Sequence, residues 1–145
     1  MREGDHPVEF MRVLFRLVHS LDVRSKRMGR EIGVTSPQRL VIRMIGRHPG
    51  IFAGELAPLL DLHPSTLTGV LARIEKRGYL RREADPGDRR RARLYLTARG
   101  EDVDRRRAGT VEAAVRRALA RTDPRRVRLA ESFLQRLAAE LATHD

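Results

Sequence analysis

The chain has 145 residues and a formal charge of +11, values that suit one domain with a polyanionic partner. It has no Cys, which excludes disulfides, thiolate metal sites and thiol redox sensing. No apolar run approaches the roughly 18 residues that span a bilayer, and the first seven residues carry two acids and no export pattern, so a soluble, cytoplasmic protein with no membrane partner is expected.

In chain order, Val8 to Arg27 is predicted as the first helix, with Met11, Leu14, Phe15, Val18 and Leu21 at helical spacing. Phe10, Val13 and Leu17 widen its stripe, and a helix apolar around most of its circumference needs more than one partner. Gly29 and Gly33 are predicted to break it. Ser36-Pro37 opens a second helix, Ser36 as cap and Pro37 at the first helical position, which carries Leu40, Val41, Met44 and Ile45 and stops at His48-Pro49-Gly50. A very short strand at 51–53 precedes a short helix around Gly54 to Leu60, the turn Asp61-Leu62-His63 and a helix opening at Pro64. There Leu67, Val70, Leu71 and Ile74 stand at i, i+3, i+4 and i+7, and Lys76-Arg77-Gly78 supplies last-turn cations and a stop. Strands over 79–83 and 91–96 flank Ala84-Asp85-Pro86-Gly87-Asp88, which is turn chemistry. Thr97 opens a long helix with Val103, Val111, Val115 and Leu119 facing inward. Asp123-Pro124 breaks it, and a last helix carries Leu129, Phe133, Leu134, Leu137 and Leu141.

Two short helices, a three-residue turn and a basic hairpin make a winged helix-turn-helix. The fold class is therefore mainly α with a small β-hairpin wing: a winged helix-turn-helix framed by N- and C-terminal dimerisation helices. Within one domain (1–145), residues 36–97 form the winged module, and 1–32 with 98–145 the helical dimerisation region. Charge is focused on the module. Between Arg73 and Arg99 ten Arg and Lys face four acids, a surplus of six out of the net eleven. A solvated charge cluster is the ordinary reading of such a run, but at a β-turn its side chains project outward, toward a duplex.

The geometry of DNA gives these residues roles. A major groove about 12 Å wide admits one α-helix, and a thin hairpin reaches the neighbouring minor groove or phosphates. Opposite the apolar stripe of the second short helix stand Ser65, Gly69, Ala72 and Lys76, flanked by Thr68 and Arg73, while Thr66 in the first turn is placed to meet a phosphate. In the hairpin, Asp88 is expected to hold an arginine of the Arg89-Arg90-Arg91 run extended for minor-groove insertion.

The run from Glu55 to Leu80, with Leu71-Ala72-Arg73-Ile74-Glu75-Lys76-Arg77-Gly78-Tyr79-Leu80 at its end, resembles the helix-turn-helix of the multiple-antibiotic-resistance-regulator (MarR) family. Asp85-Pro86-Gly87-Asp88-Arg89-Arg90-Arg91, then Leu94-Tyr95-Leu96-Thr97-Ala98-Arg99-Gly100, is similar to its wing and next helix. The resemblance implies a homodimer built from the first and last helices, a pseudo-palindromic double-stranded DNA operator, and repression relieved by a small phenolic or lipophilic molecule. It also implies that Ser65, Thr66, Thr68 and Arg73 enter the major groove and that Asp88 and Arg90 form the wing pair, with Arg89 beside them. Gly69, His63 and Pro58 depart from the family pattern: Gly69 lacks a long polar side chain, His63 stands at a Ser-type cap position, and Pro58 lies inside the first short helix.

For an effector, the first helix offers Arg12, Arg16 and His19 beside Phe15, and Met44 and Arg47 follow from the second helix. Together these are a candidate receptor for a small aromatic or anionic ligand, although a solvated face is the ordinary reading of such a stripe. His6, His19, His48, His63 and His144 are dispersed without metal-ligand spacing, and no phosphate loop or nucleophile elbow is present, so neither cofactor nor enzyme activity is expected. The remaining alternatives are a non-specific architectural DNA binder and a winged-helix protein-interaction module.

Overall fold

The computed structural model describes residues 6–143. Residues 1–5 of the opening read above for an export signal, and His144, lie outside the described residues. Two compact units divide the chain, residues 1–111 and 112–145, and each is described by itself.

In the first unit, α1 (His6–Glu31) runs through Gly29 instead of breaking there. A mid-helix Gly costs only about 1 kcal/mol relative to Ala, and the last turn is held by buried Met28 and by an Arg27–Glu31 ion pair at 2.8 Å. The helix ends at Gly33, whose φ of +93 favours glycine; a Cβ there would also fall 2.7 Å from Tyr79 Oη. α2 (Ser36–Arg47) is capped by Thr35, one residue before the expected Ser36. Gln38 Oε1 accepts the Thr35 N–H at 3.1 Å, and Ser36 instead gives its own N–H to Ser25 Oγ at 2.8 Å. The buried side of α2 is Arg39, Val41, Ile42 and Ile45, while Leu40, counted in the expected stripe, stands out at 51% exposure.

β1 (Ile51–Phe52), α3 (Ala53–Leu59), α4 (Pro64–Lys76), β2 (Leu80–Ala84) and β3 (Ala92–Leu96) follow. The sheet has the order β1-β3-β2, all antiparallel, with Leu94 of β3 opposite both Ile51 and Arg82. The core lies where α2, α3 and α4 close over this sheet: Ile42, Ile45, Leu56, Leu67, Leu71, Ile74 and Leu94 are all at most 2% exposed. Each such side chain contributes roughly 1.5–3 kcal/mol of burial.

α5 (Ala98–Arg105) is short, and α6 (Val111–Leu119) is a separate helix, so the single long helix expected from Thr97 does not form. The interruption has tertiary causes. The fully buried guanidinium of Arg39 donates to the carbonyls of Val103 and Arg106, closing the end of α5. Gly109 then turns at φ +77, and Val111 N–H donates to Met28 Sδ at 3.3 Å. At its start α5 is capped by Thr97, whose Oγ1 accepts from Gly100 N and donates to Gly78 O. Gly100 is sterically required, because a Cβ there would lie 2.1 Å from the Tyr79 carbonyl oxygen. In the second unit, α6 and α7 (Pro124–Ala142) contain no buried residue among those described, and Asp123 caps α7 by accepting from Arg125 N at 2.7 Å.

Arg39→Met keeps the volume of the side chain but takes the buried guanidinium from two carbonyls, which keep only the Arg106 N–H and the exposed Arg107 side chain, and this should cost about 1–3 kcal/mol. Urea unfolding followed by circular dichroism should show a lowered midpoint; an unchanged midpoint would remove Arg39 from the stabilising set. Gly100→Ala should lower the thermal midpoint by clash alone, at about 1–3 kcal/mol, whereas Gly69→Ala, where a Cβ meets nothing within 4 Å, should not lower it.

Candidate nucleic-acid interface

α3 and α4 are set at their angle by a tight turn. Asp61 adopts φ 50, and the N–H groups of Asp61 and Leu62 return to the carbonyls of Pro58 and Ala57. Pro58 lies inside α3 near its end, on the exposed side, so the missing N–H does not stop the turn from closing. α4 begins with an imidazole cap: His63 Nδ1 accepts Ser65 N–H at 3.2 Å and lies 2.7 Å from Ser65 Oγ. A histidine thereby does the work of the expected Ser-type cap, satisfying one of the free donors of the first turn.

The two faces of α4 separate as its spacing predicts. Leu67, Val70, Leu71 and Ile74 are buried; Ser65, Thr66, Thr68, Ala72, Arg73 and Lys76 are exposed, and Gly69 is half-buried. Thr68 Oγ1 donates to Pro64 O at 2.9 Å, so its hydroxyl hydrogen is used within the helix and its lone pairs and methyl face outward. The open space over Gly69 leaves the middle of this face bare. α4 is braced against the wing by Arg82 Nε, which donates to Glu75 Oε2 at 2.8 Å.

In the wing, Asp85 N donates to Arg91 O and Arg91 N to Asp88 O, both at 3.0 Å, which closes the loop between β2 and β3. Asp88 Oδ1 accepts the Arg90 backbone N–H at 3.0 Å and lies 3.4 Å from Arg90 Nε. The Arg90 side chain is 94% exposed, so Asp88 aims it outward without burying it. Arg89 beside it is exposed. At the wing root Arg93 Nε donates to Asp85 Oδ1 at 2.9 Å, with that carboxylate only 13% exposed. Neither the Glu75–Arg82 nor the Asp85–Arg93 brace was singled out in the sequence. Each joins residues seven or eight apart across a strand start or a turn, a separation that periodicity does not reveal.

The five effector candidates are not gathered in the same way. Phe15, Arg16 and His19 are exposed on α1, Met44 is half-buried against the core, and Arg47 is exposed in the last turn of α2. Two cavities of this unit lie elsewhere and contain none of the five. One of about 400 Å3 lies between the end of α2, the outer sheet face and α5, and includes Gly46, Arg81, Tyr95 and Asp104. The other, about 290 Å3, lies between α3 and α4 beside Thr68. Among the described residues no group of three or more His, Cys, Asp or Glu is placed to hold a metal ion, and no helix is long and apolar enough to cross a membrane.

A family model described as the MarR family matches residues 32–91. The transcriptional regulator HosA of Escherichia coli O127:H6 is 38% identical over 107 residues, 74% of this chain and 68% of the relative. For HosA of Escherichia coli O111:H- the match is 44% over 70 residues, 48% of this chain and about half the relative's length, 52%. An HTH-type transcriptional repressor of Mycobacterium tuberculosis is 31% identical over 109 residues, 75% of this chain and 78% of the relative. Among solved structures, Sco3205 of Streptomyces coelicolor, a MarR family transcriptional regulator crystallised in complex with DNA, is similar with a TM-score of 0.78 at 23% identity, covering 99% of this chain and 91% of that one. The fold described above is thus similar to that of Sco3205, and by its sequence relatives the chain belongs to the MarR family of transcriptional regulators.

Proposed function

We propose that this regulator is a homodimeric, sequence-specific repressor that binds a pseudo-palindromic duplex operator and is released by a small aromatic or anionic ligand. The observation that carries the DNA-binding part is the pairing of a small, hydroxyl-rich outer face on α4 with an outward-aimed Arg90 on the wing. The first fits the close approach of a helix to base edges; the second fits the narrow, electronegative minor groove. The DNA complex of Sco3205 supports the same reading. Ser65, Thr66, Thr68, Gly69, Arg73 and Lys76 are the proposed groove and phosphate residues of the helix, and Asp88, Arg89 and Arg90 those of the wing.

Dimerisation rests on uncovered apolar surface. On α1, Val8, Met11, Val13, Phe15, Leu17, Val18, Leu21 and Val23 are all at least 42% exposed; on α7, Leu129, Leu134 and Leu141 are at least 44% exposed. Stripes of that extent on a soluble domain mark an association surface. A two-fold dimer would present its recognition helices to half-sites about 34 Å apart. Repression is supported by the named role of the Mycobacterium tuberculosis relative. Ligand release is supported by the exposed Arg12, Arg16 and His19 on the same helix as Phe15.

These assignments separate in binding experiments. Thr68→Ala should lower the ratio of operator to random-duplex affinity by about tenfold, the equivalent of one lost base contact. Arg90→Ala should weaken both duplexes together and reduce the slope of log affinity against log salt by about 1. Equal losses on both duplexes for both variants would make the protein a non-specific architectural binder. Sedimentation showing only monomer at micromolar concentration would remove the dimer, and wild-type complexes that survive titration with salicylate-like anions would remove the proposed aromatic-anion release.

A further inference from the structure

The wing root carries an arginine whose setting differs from that of its neighbours. The Arg91 guanidinium lies over the Phe52 ring, 3.7 Å from its centroid, and Arg93 lies 4.7 Å from the same centroid. Arg93 is already committed: it donates to Asp85 Oδ1 at 2.9 Å and its Nη1 lies 3.4 Å from Gly50 O. Arg91 is exposed, and among the described residues it faces no carboxylate. The backbone of the residue that carries this ring is held in two ways. Phe52 pairs with Arg93 across β1 and β3, and as the residue before α3 it gives its N–H to Glu55 Oε2 at 3.3 Å.

We propose that Arg91, stacked on Phe52, is a second, pre-positioned phosphate anchor for the duplex, at the wing root beside the start of α3 and separate from Arg90 at the wing tip. This rests on the reading of the winged module as a duplex-binding surface. The physical case is one of donors kept free. A carboxylate brace orients an arginine by occupying its N–H groups and opposing its charge. An aromatic face orients it through the flat π surface and leaves the five donors available for a phosphate. Rotamer freedom is thereby surrendered before the duplex arrives, so binding loses less entropy. Arg90 and Arg91 are consecutive in the wing loop but held differently, Arg90 beside Asp88 at 94% exposure and Arg91 over the Phe52 ring. One cation is directed from the tip and the other back toward α3. Phosphate contacts of this kind position a protein on a duplex without reading its sequence.

The test uses the full chain with a site selected from random duplexes and a scrambled duplex of the same composition, read by fluorescence anisotropy over a salt series. Arg91→Ala should weaken both duplexes by the same factor, about fivefold, and lower the salt slope by about 1. Phe52→Leu keeps the charge and loses the platform, so the slope should hold while affinity falls by about two- to threefold on both duplexes. Arg91→Lys, which retains charge but not the planar stack, should behave like Phe52→Leu and carries that arm if the Phe52 variant has a lowered thermal midpoint. A folded Arg91→Ala protein with unchanged affinity and slope overturns the anchor. A loss confined to the selected site would make Arg91 a base-reading residue and overturns it equally. Unchanged affinity in both charge-preserving variants overturns the role of the ring. If the wild-type chain binds neither duplex, the duplex reading itself fails; if the wild type binds and Arg90→Ala behaves as expected while Arg91→Ala is silent, only this inference fails.

Discussion

A guanidinium at 1% exposure inside a small domain is a liability unless every polar contact is made, because a buried charge costs several kcal/mol when it is not compensated. Arg39 meets that requirement at the carbonyls of Val103 and Arg106, at the C-terminal end of α5 where the helix's own ladder runs out. The negative end of the helix faces the positive charge, so dipole and hydrogen bonds act in the same direction. One turn further along α2, Arg43 donates to Asp104 Oδ1 at 2.8 Å with both side chains only 23% exposed. α2 is thereby tied to α5, and α5 is tied at its other end to the close of α4, through Thr97 on the Gly78 carbonyl and the contact of Gly100 with Tyr79. The exposed face of α4 is oriented through this chain of contacts, none of which touches that face.

What was legible in the sequence was what local chemistry determines. α4 and the hairpin were readable because a single apolar period, a Pro start, a Gly stop and a turn-rich loop all agree. Where the sequence reading failed, the deciding contact came from far along the chain. Val103, Val111, Val115 and Leu119 stand at spacings that one continuous helix would satisfy; the helix stops because Arg39, more than sixty residues earlier, occupies its end and Gly109 turns away. Gly29 looked like a break, but the burial of Met28 and the Arg27–Glu31 pair carry α1 past it. That ion pair holds the Glu31 carboxyl below its ordinary range, mainly through the hydrogen bond from Arg27. Arg39 itself was invisible, since an arginine on a surface-like helix gives no sign that it points inward.

The candidate interface was legible to the same extent and for the same reason. The exposure of Ser65, Thr66, Thr68, Arg73 and Lys76 follows from the spacing of the buried residues between them, and the Asp88–Arg90 pairing follows from a two-residue separation at a turn. His63 departs from the family pattern in chemistry more than in geometry, because Nδ1 reaches the Ser65 N–H much as a hydroxyl would. The effector candidates were harder to place. Phe15, Arg16 and His19 share a helix face by spacing, but spacing says nothing about whether Met44 and Arg47 meet them, and within one chain no cavity described here contains them.

Charge in the winged module is arranged by side chain as well as by sum. Between Arg73 and Arg99 each of the four acids is matched to one arginine: Glu75 to Arg82, Glu83 to Arg81, Asp85 to Arg93 and Asp88 to Arg90. Apart from Asp85–Arg93, whose carboxylate is mostly covered, these pairs are exposed and stabilise a fold by only about 0–1 kcal/mol each, so their main consequence is direction: they fix where strands and side chains point. Arg73, Lys76, Arg77, Arg89, Arg91 and Arg99 remain, and among the described residues none of them faces a carboxylate. Three of these rest on aromatic rings, Arg77 and Arg99 on Tyr79 and Arg91 on Phe52. The local surplus of six is therefore six particular cations with their charge unopposed. Random scatter of the same residues would pair acids and bases indifferently. Here the acids act as braces for the scaffold, and the rings orient cations that meet no carboxylate among the described residues, an arrangement that makes a surface rigid and strongly positive together.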